Sequence, residues 1–171
     1  FITGGAGYCG SRLVEQLLSK GHTVVVYDIM FFTDDHLPKE NMNLTVIKGD
    51  IRDQTLLEKS SKGCEIFISL ACISNDASFE LDEDLSKSVN FDAFEPMVKI
   101  AKNNGFKRFI YASSSSVYGV SDEKNVREDH PLVPLTLYNK FKGLCEPILN
   151  KYGDEDFTVV TFRPATVCGY S

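Results

Sequence analysis

The chain has 171 residues, of which 43% are hydrophobic, and a net charge of −6 from 24 acidic and 18 basic residues. That length is enough for one domain with a sizeable core, and the acidic balance argues against binding to nucleic acid or to an anionic membrane. No apolar stretch approaches the roughly 20 residues of a membrane span. The five scattered cysteines form no Cys-x-x-Cys pair, which favours a reduced, cytoplasmic protein over a disulfide-rich or zinc-binding one.

Short runs of β-branched and aromatic residues alternate with helical patterns along the whole chain. The predicted strands are Thr23–Asp28, Leu44–Lys48, Ile66–Leu70, Arg108–Ala112 and Thr158–Phe162. The predicted helices are Ser11–Lys20, Gln54–Ser61, Phe91–Asn104 and Asn139–Tyr152. This alternation predicts an α/β fold with a doubly wound parallel sheet and helices on both faces. The segment Phe31–Asn43 lacks periodicity and is predicted to be a loop at the edge of a cofactor site.

Three glycines stand between the first apolar residues and the first predicted helix. Gly4, Gly7 and Gly10 form Gly-x-x-Gly-x-x-Gly, a pattern that permits a tight turn and lets the backbone approach a pyrophosphate. The helix that follows supplies N–H groups and a partial positive charge to such an anion. We therefore expect Tyr8 and Cys9, which lie between the last two glycines, to border the cofactor; a small buried thiol is favoured over a reactive one for Cys9.

Two acidic residues follow strands at positions suited to a dinucleotide. Asp28 ends the predicted strand 18 positions beyond Gly10, near the separation expected for a carboxylate that binds the adenosine ribose. The alternative for Asp28 is an ordinary turn residue at a strand end. No arginine follows Asp28 closely, which favours NAD over NADP. Asp50 follows the next strand and is a candidate for the adenine amino group, whereas Asp53 is a candidate helix cap.

The ends of two later strands carry small residues. Leu70 ends the predicted strand Ile66–Leu70, and with Ala71 and Cys72 it would let the backbone pass close to a dinucleotide. The serine run that begins at Ser113 follows the predicted strand Arg108–Ala112, where a parallel sheet presents residues to its ligand. One of these hydroxyls is a candidate to hold a reacting oxygen, although the spacing does not say which one.

Tyr138 and Lys142 are four residues apart in a predicted helix. That spacing places a phenol and an ammonium on one face, and a nearby cation lowers a tyrosine pKa. The pair suits proton abstraction from a sugar or alcohol hydroxyl during hydride transfer to a nicotinamide. By itself the pair is also typical of an ordinary amphipathic helix.

Taken together, these segments resemble the extended short-chain dehydrogenase/reductase family, the NAD-dependent epimerases and dehydratases of nucleotide sugars. The motifs that carry the resemblance are TGGAGYCG, YD, GDIRD, SLAC, SVNFDA, YASSSSVYG, YNKFK and RPATVCG. The resemblance implies a Rossmann fold and a catalytic set of Ser114, Tyr138 and Lys142, with Lys142 also bonded to the nicotinamide ribose. It adds these cofactor-binding residues to those above: Ile51, Asn90, Pro164, Ala165, Thr166 and Val167.

One departure from the family pattern bears on the reaction. Dehydratases of the family carry acidic residues where this chain has Ser115 and Ser116, so dehydration loses its general acid. We therefore expect an epimerase that inverts a carbon of a nucleotide-activated sugar through a keto intermediate. The alternatives are a nucleotide-sugar oxidoreductase and a non-catalytic dinucleotide sensor or scaffold.

The resemblance also implies a homodimer formed through the helices at Phe91–Asn104 and Asn139–Tyr152. Residues 1–171 are expected to form one NAD-binding domain whose first strand is truncated and whose C-terminal substrate region is missing. The segment Ser74–Asp76 is a candidate to face the substrate. We expect no metal site.

Overall fold

A computed structural model of the chain describes residues 1–32 and 35–169. Its centre is a six-stranded, wholly parallel sheet with the strand order β3-β2-β1-β4-β5-β6. The strands are β1 (Ile2–Thr3), β2 (Val24–Asp28), β3 (Leu44–Lys48), β4 (Ile66–Ser69), β5 (Arg108–Ala112) and β6 (Thr158–Phe162). The order reverses between β1 and β4, which is the switch point of a doubly wound sheet. The predicted fold class is confirmed.

Within the described residues, six α-helices connect or follow these strands. They are α1 (Tyr8–Ser19), α2 (Gln54–Ser60), α3 (Asp76–Glu80), α4 (Glu83–Lys87), α5 (Phe94–Asn103) and α6 (Leu137–Asn150). Helix α1 begins three residues before the predicted start, directly after Gly7, so its free N–H groups belong to the glycine loop itself. Helix α2 is capped by Asp53, whose side chain accepts a hydrogen bond from the Leu56 N–H, as the sequence predicted.

Four short elements were not predicted from the sequence. Helices α3 and α4 have five residues each and begin where the side chains of Asn75 and Asp82 accept backbone hydrogen bonds. A π-helical turn covers Ser88–Asp92, so that regular helix begins only at Phe94, and a 3₁₀ turn covers Ser115–Tyr118. Such short elements leave too few residues for a period to be recognised.

Two hydrophobic clusters lie on opposite faces of the sheet. Val26 and Tyr27 are neighbours in β2 and point to opposite sides, and each belongs to a different cluster. The larger cluster is rich in aromatic residues, among them Phe67 and Phe109, whose stacked rings have centroids 4.7 Å apart. The smaller one packs Val14 of α1 against the sheet. Helices therefore cover both faces, as expected.

The five cysteines are free thiols in this structure. Cys145 is buried and Cys72 is half-buried, but Cys9 is exposed, so the expectation of a buried Cys9 is wrong because α1 begins at Tyr8 and turns this side chain to solvent. No cluster of three potential metal ligands occurs within residues 1–32 and 35–169.

The predicted loop at Phe31–Asn43 contains no helix or strand in its described residues, while Thr33 and Asp34 lie outside them. Leu37 of this segment is buried against the smaller cluster. Among the helices of the described chain, none is long and apolar enough to cross a membrane.

Tyr27 links the core to the residues that follow β3, and it makes unfolding sensitive to alkali. Its hydroxyl is buried and donates to the Asp50 carbonyl at 2.9 Å. Burial, with the Asp53 and Asp50 carboxylates, raises the pKa of Tyr27 to about 12. Because the folded pKa exceeds the ordinary value of 10, the associated stability is present below pH 10 and is lost as the pH rises through 12.

We expect the free energy of unfolding to fall by about 2 kcal/mol between pH 10 and 12 through this residue alone. Tyr27→Phe removes the ionisable group and should flatten the alkaline part of the stability curve by that amount. Urea unfolding of both proteins at pH 8, 10 and 12 measures the difference. If the free energy of unfolding fell equally with pH in wild type and Tyr27→Phe, ionisation of Tyr27 would not be its cause.

Candidate active site

The glycine loop lies at the switch point and is packed too closely to accept side chains. Gly4 has a φ of +76°, and a Cβ atom there would lie 2.6 Å from the Ala71 backbone nitrogen. A Cβ atom on Gly10 would lie 2.2 Å from the Gly4 carbonyl oxygen. A Cβ on Gly7, by contrast, would come no closer than 3.3 Å to the Gly4 oxygen. The turn therefore brings backbone, not side chains, to the N-terminus of α1, where a pyrophosphate would bind.

Asp28 ties the glycine loop to the end of β2. One carboxylate oxygen accepts the Ala6 N–H at 3.0 Å and the other accepts the Met30 N–H at 2.9 Å. Each oxygen has a second lone pair, so the half-buried carboxylate is held in place and retains acceptor capacity for ribose hydroxyls. This arrangement fits the dinucleotide predicted from the sequence.

Asp50 and Ile51 follow β3, and neither presents a free side chain. Arg52 donates to both oxygens of Asp50, at 2.5 Å for the shortest contact, and lowers the pKa of that carboxyl through this hydrogen bond. Ile51 is buried in the aromatic cluster. Any cofactor contact of Ile51 would therefore be made by its backbone, and Asp50 would share its carboxylate with Arg52.

The end of β4 runs beside the glycine loop. The backbone of Leu70 and Ala71 lies within 3 Å of the position that a Gly4 side chain would occupy. Asn90, which was expected at the cofactor, is buried in the π-helical turn and bonds the backbone of Ile73 with both ends of its amide, at 2.8 and 2.9 Å. Its side chain therefore shapes the segment after β4, and Cys72 lies within that segment.

The serines after β5 divide into two groups. The Ser113 hydroxyl is buried and donates to Glu146 at 2.5 Å, so any cofactor contact of Ser113 would be made by its backbone. Ser114 begins the 3₁₀ turn, and its hydroxyl lies 2.6 Å from that of Ser116. Ser116 in turn donates to Asn139 at 2.5 Å, which lies next to Tyr138.

Tyr138 and Lys142 lie on α6 with Lys142 facing the sheet. The Lys142 ammonium donates to the Ala112 carbonyl at 2.8 Å and lies 5.8 Å from the centre of the Tyr138 ring. These contacts bring the ammonium, the Tyr138 ring and the end of β5 to one edge of the sheet. Burial is the main cause that raises the pKa of Tyr138, with Cys72 and Asp76 adding to it, while the Asn75 N–H acts in the opposite direction.

This direction is opposite to the lowering of the Tyr138 pKa expected from Lys142, because burial is the largest cause and only the Asn75 N–H opposes it. The same contacts locate Ser74–Asp76 beside the phenol. Asn75 has a φ of +71°, a conformation that costs energy in a residue with a side chain and that concentrates at functional sites. Asp76 accepts a hydrogen bond from Thr136, the cap of α6, at 2.5 Å.

The segment after β6 approaches the same edge. The Pro164 carbonyl accepts the Ser115 N–H at 2.9 Å, and Tyr8 donates to the Gly169 carbonyl at 2.6 Å. Ala165, Thr166 and Val167 are exposed. An open cleft of about 260 Å³ lies between this segment and α1, and both Cys9 and Val167 line it.

A buried ion pair supports the site and was not predicted from the sequence. Arg163 bonds Glu146 at 2.6 Å, Tyr118 at 2.6 Å and the Glu128 carbonyl at 2.9 Å. Glu146 also holds Ser113, so one carboxylate joins α6 to the ends of β5 and β6. The signal was present in the sequence, because Glu146 continues the four-residue spacing of Tyr138 and Lys142 along one helix face.

Comparison with known proteins identifies the family of this chain. A family model described as the NAD dependent epimerase/dehydratase family matches residues 1–171. The chain belongs to this family. UDP-glucose 4-epimerase of Rhizobium meliloti is 30% identical over 155 residues, which are 89% of this chain and 46% of that protein. D-erythronate dehydrogenase of Haemophilus influenzae is 30% identical over 177 residues, with coverage of 98% and 54%.

A solved structure of a similar protein carries the expected cofactor. The Bordetella bronchiseptica enzyme WbmH in complex with NAD+ is 32% identical, with a TM-score of 0.85 and coverage of 99% of this chain and 56% of that one. The chain spans about half the length of the curated relatives it matches. Both the family resemblance and NAD as the cofactor of the family are confirmed.

Among the glycines of the glycine loop, Gly10 is the one with the least room. Gly10→Ala forces a methyl group against the Gly4 oxygen and the Gly5 Cα, which would lie 2.2 and 2.7 Å away. We expect it to destabilise the protein by about 1–3 kcal/mol and to abolish retention of NAD, measured as nucleotide released on denaturation.

Gly143→Ala is the matched control for this substitution. Gly143 lies inside α6, and its Cβ would come no closer than 3.7 Å to Val117. The added methyl should stabilise the helix by about 0.5–1 kcal/mol and leave NAD in place. Equal NAD content in the two variants would contradict the assignment of the glycine loop.

Proposed function

We propose that the protein is an NAD-dependent epimerase that inverts one carbon of a nucleotide-activated sugar through a transient keto intermediate. The observation that carries the proposal is the arrangement of Ser114, Tyr138 and Lys142 at the carboxyl edge of the sheet, beside the glycine loop. Hydrogen bonds from Lys142 to Ala112 and through Ser116 to Asn139 support this arrangement.

In this proposal Tyr138 removes the proton from a sugar hydroxyl as that carbon loses its hydride, and the alcohol becomes a ketone. A bound NAD would supply the hydride acceptor and a positive charge that favours the phenolate form of Tyr138. Ser114 binds the sugar hydroxyl that reacts, and Lys142 holds the Ala112 carbonyl and would hold the nicotinamide ribose. The keto sugar then rotates in the site and presents its opposite face. The hydride would return to that face, and Tyr138 would return the proton to the sugar oxygen.

The residues proposed to bind NAD share the crevice at the switch point. Backbone groups of the glycine loop would bind the pyrophosphate, and Asp28 would bind the ribose of the adenosine. The remaining proposed contacts are Tyr8, Cys9, Asp50, Ile51, Leu70, Ala71, Cys72, Asn90, Ser113, Pro164, Ala165, Thr166 and Val167. For Ile51 and Ser113 the proposed contact is made by the backbone, because their side chains are buried elsewhere.

Elimination of water is disfavoured by the residues beside Ser114. A dehydration needs a general acid next to the reacting carbon, and Ser115 and Ser116 supply only hydroxyl groups there. The Ser116 hydroxyl is already bonded to Asn139. These contacts support epimerisation or simple oxidation over dehydration.

A nucleotide-sugar oxidoreductase is the second candidate. The similarity to D-erythronate dehydrogenase, which extends over 98% of this chain, supports the oxidoreductase part of this candidate. In that case NAD would exchange in each cycle instead of being regenerated within it. A dinucleotide sensor without catalysis would not need the three polar side chains at this edge.

We also propose that residues 1–171 form one NAD-binding domain and that the protein is a cytoplasmic homodimer. The free cysteines support a reducing compartment. Exposed apolar residues on the outer side of α6, Leu137 and Leu144, support contact with a second copy through α5 and α6. Sedimentation of the purified protein measures this association directly.

The test of the function begins with the protein as purified. It is denatured to release any bound NAD, and fresh protein is then incubated with a panel of UDP- and dTDP-linked hexoses. Tightly held NAD and isomer formation without net change at the NADH absorbance band are expected. Stoichiometric NADH formation or consumption would show an oxidoreductase, and neither NAD nor turnover would favour the sensor.

A further inference from the structure

The hydroxyl of Ser114 belongs to a chain of three polar groups that continues away from the proposed substrate. Its oxygen lies 2.6 Å from the Ser116 hydroxyl, and the Ser116 hydroxyl lies 2.5 Å from the Asn139 side-chain oxygen. The Ser116 N–H also donates to the Ser114 oxygen at 3.2 Å. These contacts determine where each hydroxyl hydrogen points.

A serine hydroxyl has one hydrogen to donate and two lone pairs to accept with. The side-chain oxygen of Asn139 only accepts, so Ser116 gives its hydrogen to Asn139. Ser116 then has no hydrogen for Ser114, and the 2.6 Å contact requires Ser114 to donate to Ser116. Ser114 accepts the Ser116 N–H with one lone pair, which leaves the other lone pair for a ligand.

We propose that Ser116 and Asn139 are positioning residues that make Ser114 a hydrogen-bond acceptor toward the bound sugar. This inference rests on the proposed function, in which Ser114 binds the reacting oxygen. A sugar hydroxyl can donate to Ser114 in this state. A keto oxygen receives no hydrogen bond from Ser114 unless the bond to Ser116 is broken.

The consequence is a bias between the two oxidation states of the bound sugar. The hydrogen bonds from Ser114 through Ser116 to Asn139 favour the bound alcohol with oxidised NAD. They disfavour the bound ketone with NADH. The keto intermediate is therefore kept scarce, which limits its escape before the hydride returns. Ser116 and Asn139 favour the bound alcohol in this way, without taking part in proton or hydride transfer themselves.

Asn139, which supplies the acceptor at the end of this hydrogen-bond chain, lies in the first turn of α6. Asn139 is buried, with 7% of its surface exposed, and its N–H bonds the Thr136 hydroxyl that caps α6. At the other end, Ser114 lies in extended backbone at the start of the 3₁₀ turn, and the next residue is bonded to the Pro164 carbonyl. Ser114 and Asn139 are thus each positioned by backbone contacts outside the hydrogen-bond chain.

The first experiment locates the hydrogens in the NAD-loaded protein without any sugar. Neutron diffraction after exchange into D₂O is expected to show the Ser116 deuterium pointing to Asn139 and the Ser114 deuterium pointing to Ser116. A Ser116 deuterium pointing to Ser114 would overturn the inference. That result would leave the proposed epimerase function untouched.

The second experiment measures the bias itself. NAD-loaded wild type and variants are mixed with UDP-glucose or UDP-N-acetylglucosamine, and the fraction of NADH is read from its absorbance band. Ser116→Ala and Asn139→Leu both release the Ser114 hydrogen, and each is expected to raise this fraction about fivefold, the worth of one hydrogen bond of about 1 kcal/mol. Ser115→Ala, which removes a neighbouring hydroxyl outside the chain, should leave it unchanged.

The outcomes separate this inference from the proposed function. Equal NADH fractions in wild type, Ser116→Ala and Asn139→Leu, with turnover lost in Ser114→Ala, would overturn the positioning role alone. Full turnover in Ser114→Ala would instead contradict the proposed function. A raised fraction in both positioning variants, with the control unchanged, supports the inference.

Discussion

Tyr138→Phe is expected to lower turnover of the nucleotide sugar by about 10²–10⁴-fold, the usual contribution of a positioned proton-transfer group, while NAD remains bound. The side chain is half-buried, and its ring packs edge-on against Phe79 with centroids 6.4 Å apart. Phenylalanine preserves that contact and loses only the hydroxyl, so the fold should survive. Isomer formation and NAD released on denaturation are measured on the same preparation.

Tyr152→Phe is the matched control for this prediction. It removes the same group from a tyrosine just beyond α6, where the hydroxyl bonds Glu95 at 2.5 Å, and it should leave turnover unchanged. Full activity in Tyr138→Phe would show that another group moves the proton.

Turnover of the wild type is expected to increase with pH. Because burial raises the pKa of Tyr138, the phenolate is the minor form at neutral pH, and its fraction grows about tenfold per pH unit below the pKa. Turnover is therefore expected to rise with pH through the neutral range. A rate that falls over this range would contradict Tyr138 as the base.

Arg163→Met is expected to destabilise the protein by about 3–5 kcal/mol, the cost of removing one partner from a buried ion pair. The side chains of Arg163 and Glu146 are only 18% and 6% exposed. Without the guanidinium, Glu146 keeps its bond to Ser113 but loses its compensating charge. The free energy of unfolding in urea at pH 7 measures the effect.

Two further variants test the cause of that loss. Lys87→Met breaks a surface pair with Asp92 whose side chains are 45% and 50% exposed, and it should cost about 0–1 kcal/mol. Combining Arg163→Met with Glu146→Leu removes the uncompensated charge and should recover much of the stability. A single Arg163→Met variant as stable as the wild type would mean that the pair contributes nothing to the fold.

The periodicity of the sequence predicted the sheet more closely than the helices. The bounds of β3, β5 and β6 agree with the prediction, because each strand is a short run rich in β-branched or aromatic residues. Helix α6 was predicted two residues late, since its start depends on the Thr136 side chain as a cap. The short helices and turns between β4 and α5 escaped prediction because caps and packing, not a repeated pattern, specify them.

The sequence by itself determined the parallel α/β fold, the glycine loop that only small residues can form, and the placement of Tyr138 and Lys142 on one helix. Each of these follows from local spacing along the chain. The tertiary structure alone decided the partners of Ser114, the Arg163 ion pair and the direction of the Tyr138 pKa shift. These depend on which strands become neighbours and on how deeply each group is buried, and neither quantity is encoded in the spacing of nearby residues.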